Sequence, residues 1–287
     1  MRACAHKCME HSFMVATIIS ATITGAVFVF LLYFGIPLFQ HGQILELLLS
    51  NWAPEKGLYG IYPMLIASII LAALSLAISF PTSLGASFFI SYLSPPKISN
   101  LMLNLVRFMT GIPTVVYSFA ALFLLVPFMR DMIDKGSGLS ILTASLVLAL
   151  LISPTMIIFF VNSFQKVPVT SLLAAAALGA TPVQKIFYIV LPQAWPGIIN
   201  GLLLGFGRAL GDTMVSLMLA GNSPSVPESI FDSARTLTAH IGLVLAFDFD
   251  SMEFKSVFVC GLVLYILSAT TMTIIRLISK AYVHGRN

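Results

Sequence analysis

Arg208 and Asp212 stand four positions apart in an otherwise apolar, glycine-rich stretch of the chain. In a membrane-spanning helix, a charge near the middle costs roughly 2.5–3.5 kcal/mol on insertion scales, so its presence requires a reason. Residues four apart lie on one helix face, where this pair is expected to form a salt bridge or to line a polar cavity together. The alternative is a buried ion pair that only fixes the register of the helix.

The chemistry of the pair favours an anion as its ligand. A guanidinium carries five N–H donors, which suit phosphate or a similar tetrahedral oxyanion better than a neutral solute or a cation. Thr213 and Ser216 are expected to add neutral donors at a similar depth. The same helix is expected to pack closely against its neighbours, because small residues four apart let helices approach each other. The small-residue pairs are Gly201-x3-Gly205 and Gly207-x3-Gly211.

Composition places these residues in a membrane. The chain is 58% hydrophobic and only 9% charged, with a mean hydropathy of +0.98, whereas soluble proteins carry roughly 25% charged residues. About 20 residues cross a hydrocarbon core. Six stretches are long enough, which predicts an all-α, polytopic membrane helix bundle with about six transmembrane helices. The predicted spans are Phe13–Leu38, Ile61–Ser83, Phe108–Met129, Leu139–Val161, Ala194–Gly221 and Phe254–Ile278.

The connections between the spans predict the orientation of the bundle. Basic residues favour the cytoplasmic side, and they are more numerous in the connections that share a side with both termini. We therefore expect both termini to be cytoplasmic. The bases on that side are Arg2, Lys7, Lys97, Lys166, Lys185, Arg276, Lys280 and Arg286, and those on the opposite side are Lys56, Arg130, Lys135, Arg235 and Lys255.

Residues 1–12 are expected to form a short cytoplasmic tail, and residues 13–287 a single transmembrane domain. The first apolar run is longer than the roughly 7–15 residues of a signal-peptide core, so we expect it to remain attached and to span the membrane. Cys4 and Cys8 lie near two histidines, which is a weak zinc pattern. The favoured alternative is an unstructured N-terminal tail, so no metal site is expected. Cys260 lies in an apolar helix near the other end of the chain, so no disulfide framework is expected. The basic residues are scattered, which argues against nucleic acid as a partner and leaves membrane lipid as the surroundings.

The segment Pro168–Pro192 is apolar but interrupted by glycine and proline. Gly179 suits the position after a helix end, and Thr181-Pro182 suits a cap followed by a first-turn proline. This pattern predicts two short helices of roughly ten residues, each about 15 Å long and half of what a bilayer requires. An exposed apolar pair on the cytoplasmic side is typical of a protein interface. The alternative is a helix pair lying on the membrane, although such helices usually carry a strongly basic face.

This segment also carries a resemblance to a known family. Ala174-Ala175, then Gly179 after three residues, then Ile189-Val190-Leu191-Pro192 after nine more, resembles the EAA loop of ABC-transporter importer permeases. The resemblance implies a type I ABC importer permease-like fold, with a coupling loop at about residues 164–193 that inserts into a groove of an ATPase subunit. The glutamate of the family falls on Leu173. The residues implied in coupling are Ala174, Ala175, Gly179, Ala180, Ile189, Leu191 and Pro192.

The arginine-bearing stretch, LPQAWPGIINGLLLGFGRALGDTM, is similar to a run in the permeases of phosphate-uptake ABC transporters. The continuation GNSPSVPESIFDSARTLTAHI resembles the C-type (PstC) members of that family, and the earlier GIPTVVYSF resembles their third-span motif. The resemblance implicates Arg208 and Asp212 in phosphate passage, with aspartate in place of the longer glutamate of the family. Thr213 follows them in the same pathway.

The resemblance implies one permease subunit of an ATP-driven importer of inorganic phosphate in the bacterial cytoplasmic (inner) membrane. Its implied partners are an ABC ATPase subunit, expected as a dimer, a second homologous permease and a periplasmic or extracellular phosphate-binding protein. The chain lacks the G-x4-G-K-[S/T] loop that cradles nucleotide phosphates, so no cofactor is expected on it and the partner uses the ATP. The alternatives are a permease for molybdate, tungstate or sulfate, and a secondary carrier driven by an ion gradient. No catalytic residue is expected.

Overall fold

The computed structural model describes residues 2–39, 48–133, 136–248 and 251–284, and nearly all of its regular structure is helical. The strands are β1 (Trp52–Ala53) and β2 (Leu58–Tyr59). The helices are α1 (Arg2–Phe39), α2 (Tyr62–Phe88), α3 (Pro96–Thr110), α4 (Thr114–Ile133), α5 (Ile141–Gln165), α6 (Val169–Ala177), α7 (Pro182–Lys185), α8 (Leu191–Gly211), α9 (Met214–Leu219), α10 (Leu237–Val244) and α11 (Met252–His284). π-helical turns at Phe89–Leu93 and Ile186–Val190 extend α2 and join α7 to α8.

Within the described ranges, six helices are long and apolar enough to cross a membrane. This finding confirms the predicted all-α membrane bundle. The spanning segments are Met9–Gly35, Tyr62–Leu93, Thr114–Ile133, Ile141–Gln165, Pro182–Gly211 and Met252–Ile274.

The centre of the bundle is the pair α2 and α5, which pack along their length. Serines recur every fourth residue on the face of α2 that meets α5, and small side chains of this kind let the two backbones come close. The Ser79 Oγ atom lies 2.9 Å from the Ser153 Oγ atom, and the Ser87 hydroxyl donates to the Ile157 carbonyl at 3.4 Å. Pro154 lies inside α5, as predicted.

Helix α1 packs against α11 at the edge of the bundle. Aromatic rings join them, with 4.9 Å between the ring centroids of Phe28 and Tyr265 and 5.0 Å between those of Phe34 and Phe258. Helix α1 begins at Arg2, so residues 2–12, which were predicted as a cytoplasmic tail, have a helical backbone. The backbone of Cys4 and Cys8 belongs to α1, but the side chains of both lie outside the described part of the structure.

The third span differs from the prediction, which placed Gly111-Ile112-Pro113 inside it. Helix α3 ends at Thr110, and α4 starts only after Pro113. Proline has no backbone N–H and restricts the residue before it, so this tripeptide forms a helix boundary rather than a kink. The exposed Arg107 consequently lies in the last turn of α3, outside the span.

The fifth span also differs, at both ends. The prediction ended a short helix at Pro192, yet α7, the π-helical turn and α8 form one continuous helical segment. In the turn, the Leu191 N–H donates to the Ile186 carbonyl, which shifts the hydrogen-bond register by one residue. A π-bulge of this kind accommodates Pro192 without ending the helix. The predicted end at Gly221 is wrong as well, because the helix stops at Gly211.

The segment after α9 forms a buried cap on the side of the membrane opposite α6. This segment contains the helix α10. Its Leu237 N–H donates to the Ser68 hydroxyl of α2 at 2.8 Å, and its Thr238 hydroxyl donates to the Asp212 carbonyl at 3.0 Å. His240 is fully buried against Trp52 of β1, with 4.4 Å between the ring centroids.

Candidate functional site

The Arg208 side chain lies in the last turn of α8 and faces α5. Its Nη1 atom donates to the Thr155 Oγ1 atom at 3.0 Å, and the arginine itself is half-buried. It lines a cavity of ≈ 450 Å³ between α5, α8 and α11. The polar side chains at the cavity wall are Thr155, Arg208, Ser268 and Thr271, and the remaining residues are Leu203, Leu204, Phe206, Gly207, Leu210 and Met272.

Asp212 lies just beyond the end of α8 and does not continue it. Its backbone is extended, with φ −75 and ψ 120. Its Oδ1 atom accepts a hydrogen bond from the Val215 N–H at 2.8 Å, which caps the start of α9. The i,i+4 spacing therefore does not place Arg208 and Asp212 on one helix face. The two charges nevertheless remain close enough to attract each other.

Thr213 and Ser216 were predicted to add neutral donors beside Arg208, but neither residue lines the cavity. The Ser216 hydroxyl donates to the Asp212 carbonyl at 2.9 Å and is buried beside Thr238. Thr213 is half-buried at the start of α9 and is not among the residues that line the cavity.

The hydroxyl-bearing residues that line the cavity with Arg208 are instead Thr155, Ser268 and Thr271. The Thr155 hydroxyl contacts the guanidinium, and the Thr271 hydroxyl donates to the Leu267 carbonyl at 2.7 Å. A sequence signal exists for two of them, because Ser268 and Thr271 are three apart and share one face of an otherwise apolar helix.

Glycines bring α8 close to α5 at one pair of positions. A Cβ atom at Gly201 would lie 2.6 Å from the Phe160 ring, and one at Gly205 would lie 2.9 Å from the Met156 sulfur. The first predicted small-residue pair therefore makes the expected close approach. Gly207 and Gly211 meet nothing within 4 Å in the described residues, and Gly207 lines the cavity.

The hairpin between α6 and α7 is fixed by its backbone. The Gly179 N–H donates to the Ala176 carbonyl and the Ala180 N–H to the Ala175 carbonyl, both at 3.0 Å. Gly179 has φ +79, so this is a Schellman C-cap with glycine in the left-handed region. A capping box between Thr181 and Gln184 then starts the next helix. The predicted corner is confirmed at Gly179.

The hairpin presents large apolar side chains to the outside. Leu178 is 89% exposed, Tyr188 79% and Leu173, at the glutamate position of the family, 63%. We call the following set the hairpin surface: Val169, Leu173, Leu178, Val183, Phe187 and Tyr188. Of the residues implied in coupling, Ala174 and Gly179 are exposed, Ala180, Ile189, Leu191 and Pro192 are half-buried, and Ala175 is buried.

Chemically, the cavity offers one guanidinium and the Thr155 hydroxyl beside it in a largely apolar wall, and a guanidinium is a group that suits an oxyanion. Among the described residues, no group of three or more His, Cys, Asp or Glu is placed to hold a metal ion. Fold and site together define a multi-pass helical membrane protein of the importer-permease class.

Comparison with known proteins gives the family. Residues 83–284 match the binding-protein-dependent transport system inner membrane components, and the chain belongs to this family. It is 32% identical over 233 residues to the probable ABC transporter permease protein YqgH of Bacillus subtilis, covering 80% of this chain and 75% of the relative. It is 30% identical over 250 residues to the phosphate transport system permease protein PstC of Xylella fastidiosa (strain Temecula1), covering 79% and 76%. The predicted resemblance to PstC-like permeases is thus confirmed.

Solved structures support the same fold. A chain of the MetNI methionine ABC transporter superposes with a TM-score of 0.58 at 19% identity, covering 78% of this chain and 94% of the other. A chain of a bacterial alginate ABC transporter, solved with its pentasaccharide-bound periplasmic protein, gives 0.62 at 15% identity, covering 96% of both. The protein is an ABC importer permease in its fold.

Proposed function

We propose that this permease moves inorganic phosphate into the cytoplasm as one subunit of an ATP-driven importer. The observation that carries the proposal is Arg208, which lies at the wall of a ≈ 450 Å³ cavity that also exposes three hydroxyl residues. Arg208 lies in the last turn of the fifth span and not at its middle as predicted, and a charge within a spanning segment usually has a ligand or a partner. Its fork of donors fits a tetrahedral oxyanion.

The choice of phosphate among oxyanions rests on the relatives. Several are named phosphate transport system permease protein PstC, at 25–30% identity over about four-fifths of this chain. The named cavity residues alone do not distinguish phosphate from sulfate or molybdate, because all three are tetrahedral and anionic.

The hairpin surface would couple transport to ATP. Its exposed apolar side chains need a protein or lipid cover, and the family to which the chain belongs works in binding-protein-dependent transport systems. In our proposal an ATPase dimer covers this surface, and its closure on ATP moves α6 and α7 as one lever. ATP hydrolysis then belongs to that partner, and this chain is not an enzyme.

The remaining parts of the proposed assembly lie in and outside the membrane. A second homologous permease would complete the pathway, and a periplasmic or extracellular phosphate-binding protein would deliver the anion. The proposed location is the bacterial inner membrane with both termini in the cytoplasm. This orientation puts the hairpin surface on the cytoplasmic side and α10 on the delivery side.

Uptake of labelled phosphate tests the proposal in cells that lack their own importer and express this permease with its partner subunits. Excess unlabelled phosphate is expected to compete, whereas sulfate, molybdate and tungstate are not. Labelled phosphate uptake that persists under excess phosphate contradicts the proposal. Competition by one of the other anions would assign that anion instead, and uptake without any co-expressed ATPase would indicate a secondary carrier.

A further inference from the structure

We propose that Thr155 is the positioning residue for Arg208, and that it ties the direction of the guanidinium to the part of α5 that contains Pro154. This inference rests on the proposed function, since it assigns Thr155 a part in the same anion site. The Thr155 Oγ1 atom accepts from the Arg208 Nη1 atom at 3.0 Å, between a helix of the central pair and the arginine-bearing helix.

The chemistry of the two groups makes threonine a suitable holder. Arginine has five donors and no acceptor, so a neutral acceptor fixes its plane without neutralising its charge. A carboxylate in the same place would compete with an anionic ligand, whereas a hydroxyl does not. Within the described part of the chain, the Thr155 hydroxyl donates to no acceptor of its own. Its proton therefore remains available to an anion oxygen in the cavity.

The contact between Thr155 and Arg208 also matters because of where Thr155 lies in α5. Thr155 directly follows Pro154, which lies inside α5 and lacks the N–H that would bond one turn back. A proline inside a helix is the usual site of a bend. On the other side of the proline, the Ser153 Oγ atom lies 2.9 Å from the Ser79 Oγ atom of α2. The Ser83 hydroxyl donates to the Ser153 carbonyl at 3.4 Å.

Ser153 and Thr155, on either side of Pro154, therefore contact α2 and Arg208 respectively. A change in the bend at Pro154 would alter the direction in which Thr155 presents its hydroxyl. The arginine is then presented to the cavity, or withdrawn from it, according to the shape of α5.

The test compares Thr155→Val, which keeps the shape and removes the hydroxyl, with Thr155→Ser, which restores the hydroxyl. The complete transporter is reconstituted with its ATPase and delivery protein, and initial rates of labelled phosphate uptake are measured over a range of phosphate concentrations. Thr273→Val is the matched control, because the Thr273 hydroxyl bonds to its own helix at Ala269 on an exposed face.

We expect Thr155→Val to lower the maximal uptake rate at least about tenfold, since hydrogen bonds to charged groups are the stronger ones. The half-saturating phosphate concentration is expected to stay unchanged, because the delivery protein sets it. ATP hydrolysis stimulated by the delivery protein is expected to persist, which a collapsed bundle would not allow. Thr155→Ser is expected to transport within about twofold of the unmodified protein, by the same reasoning.

Normal uptake by Thr155→Val overturns the inference. So does a slow Thr155→Ser variant, because packing and not the hydroxyl would then be the cause. A raised half-saturating concentration at an unchanged maximal rate also contradicts positioning. Arg208→Gln is measured in parallel. If the unmodified transporter takes up no phosphate, the proposed function itself fails. If Arg208→Gln transports phosphate normally, Arg208 is not the anion contact, whereas an inactive Arg208→Gln beside a normal Thr155→Val removes only the role of Thr155.

Discussion

Arg208 and Asp212 lie on either side of a helix end, with Gly211 between them as the last residue of α8. The arginine points into the cavity and the aspartate caps the next helix. The two charges still attract each other across the end of α8, but the two side chains have different roles. The arginine has the geometry of a ligand contact, and the aspartate holds the backbone where the fifth span is interrupted.

Arg208→Gln is expected to lower phosphate uptake at least about tenfold, because a hydrogen bond to a charged group contributes about 1.5–3 kcal/mol. Yield and co-purification of partner subunits should not change, since glutamine can still donate to Thr155. Arg107→Gln, at an exposed position outside the spans, is the control and should transport normally. Equal uptake by the two variants would reduce Arg208 to a structural residue.

Asp212→Ala is expected to destabilise the protein by about 1 kcal/mol, the usual effect of losing a side-chain acceptor at the start of a helix. Asp212→Asn keeps an oxygen for the Val215 N–H and should remain within a few tenths of the original stability. Thermal unfolding in detergent measures both. If Asp212→Asn is as unstable as Asp212→Ala, the charge beside Arg208 stabilises the fold and the cap does not.

A graded series of glycine substitutions tests the close approach of α8 to α5. Gly201→Ala should cost about 1–3 kcal/mol, because the new methyl group meets the Phe160 ring at 2.6 Å. Gly205→Ala should cost less, since the atom it meets belongs to the flexible Met156 side chain. Gly207→Ala meets nothing within 4 Å of described residues and should be neutral or stabilising by up to about 1 kcal/mol. Equal effects at all three positions would contradict the packing account.

Gly179→Val is expected to weaken retention of the ATPase during purification and to slow uptake. The added side chain meets nothing within 4 Å, so its effect is conformational. A left-handed backbone costs an ordinary residue roughly 1–2 kcal/mol, and a β-branched residue is worse placed there. Gly179→Asn is expected to have a smaller effect, because asparagine tolerates the left-handed backbone conformation. Gly85→Ala, in an exposed helical position with open space, is the control. An ATPase that stays bound to Gly179→Val would exclude the hairpin surface as its docking site.

The parts of the fold that composition and local chemistry determine were predictable. Span length is set by hydrocarbon thickness, so the fourth span was expected at Leu139–Val161 and is found at Ile141–Gln165. The cap at Gly179 follows from the steric freedom of glycine. The ends of the fifth span were not predictable, because whether Pro192 stops a helix depends on a π-helical turn that no hydropathy pattern records.

In the candidate site too, some residues were predictable from the sequence and others were not. Arg208 was identifiable because a charge in an apolar helix is costly in any fold. Thr155 is 53 positions away in the chain, and only the packing of α5 against α8 brings its hydroxyl to the arginine. Its neighbour Pro154 is visible in the sequence, but nothing in the sequence indicates which side chain of the fourth span lies beside the arginine.

His240 predicts that the protein loses stability as the pH falls below about 6.5. Burial, with a smaller contribution from the Arg235 cation, lowers the pKa of His240 from 6.5 to about 4. Between these values the unfolded chain binds a proton that the folded protein does not, so stability rises with pH in this window and is complete above it. The expected loss from pH 7 to pH 5 is about 2 kcal/mol, since one pKa unit corresponds to about 1.4 kcal/mol.

Thermal unfolding in detergent at several pH values measures this dependence. His240→Gln should be less stable at pH 7, because it loses the ring contact with Trp52. Its stability should nevertheless change less between pH 7 and pH 5, because the group that titrates is gone. His11→Gln, at an exposed position of α1, should retain the pH dependence of the original protein. An unchanged pH dependence in His240→Gln would assign the acid sensitivity to another group.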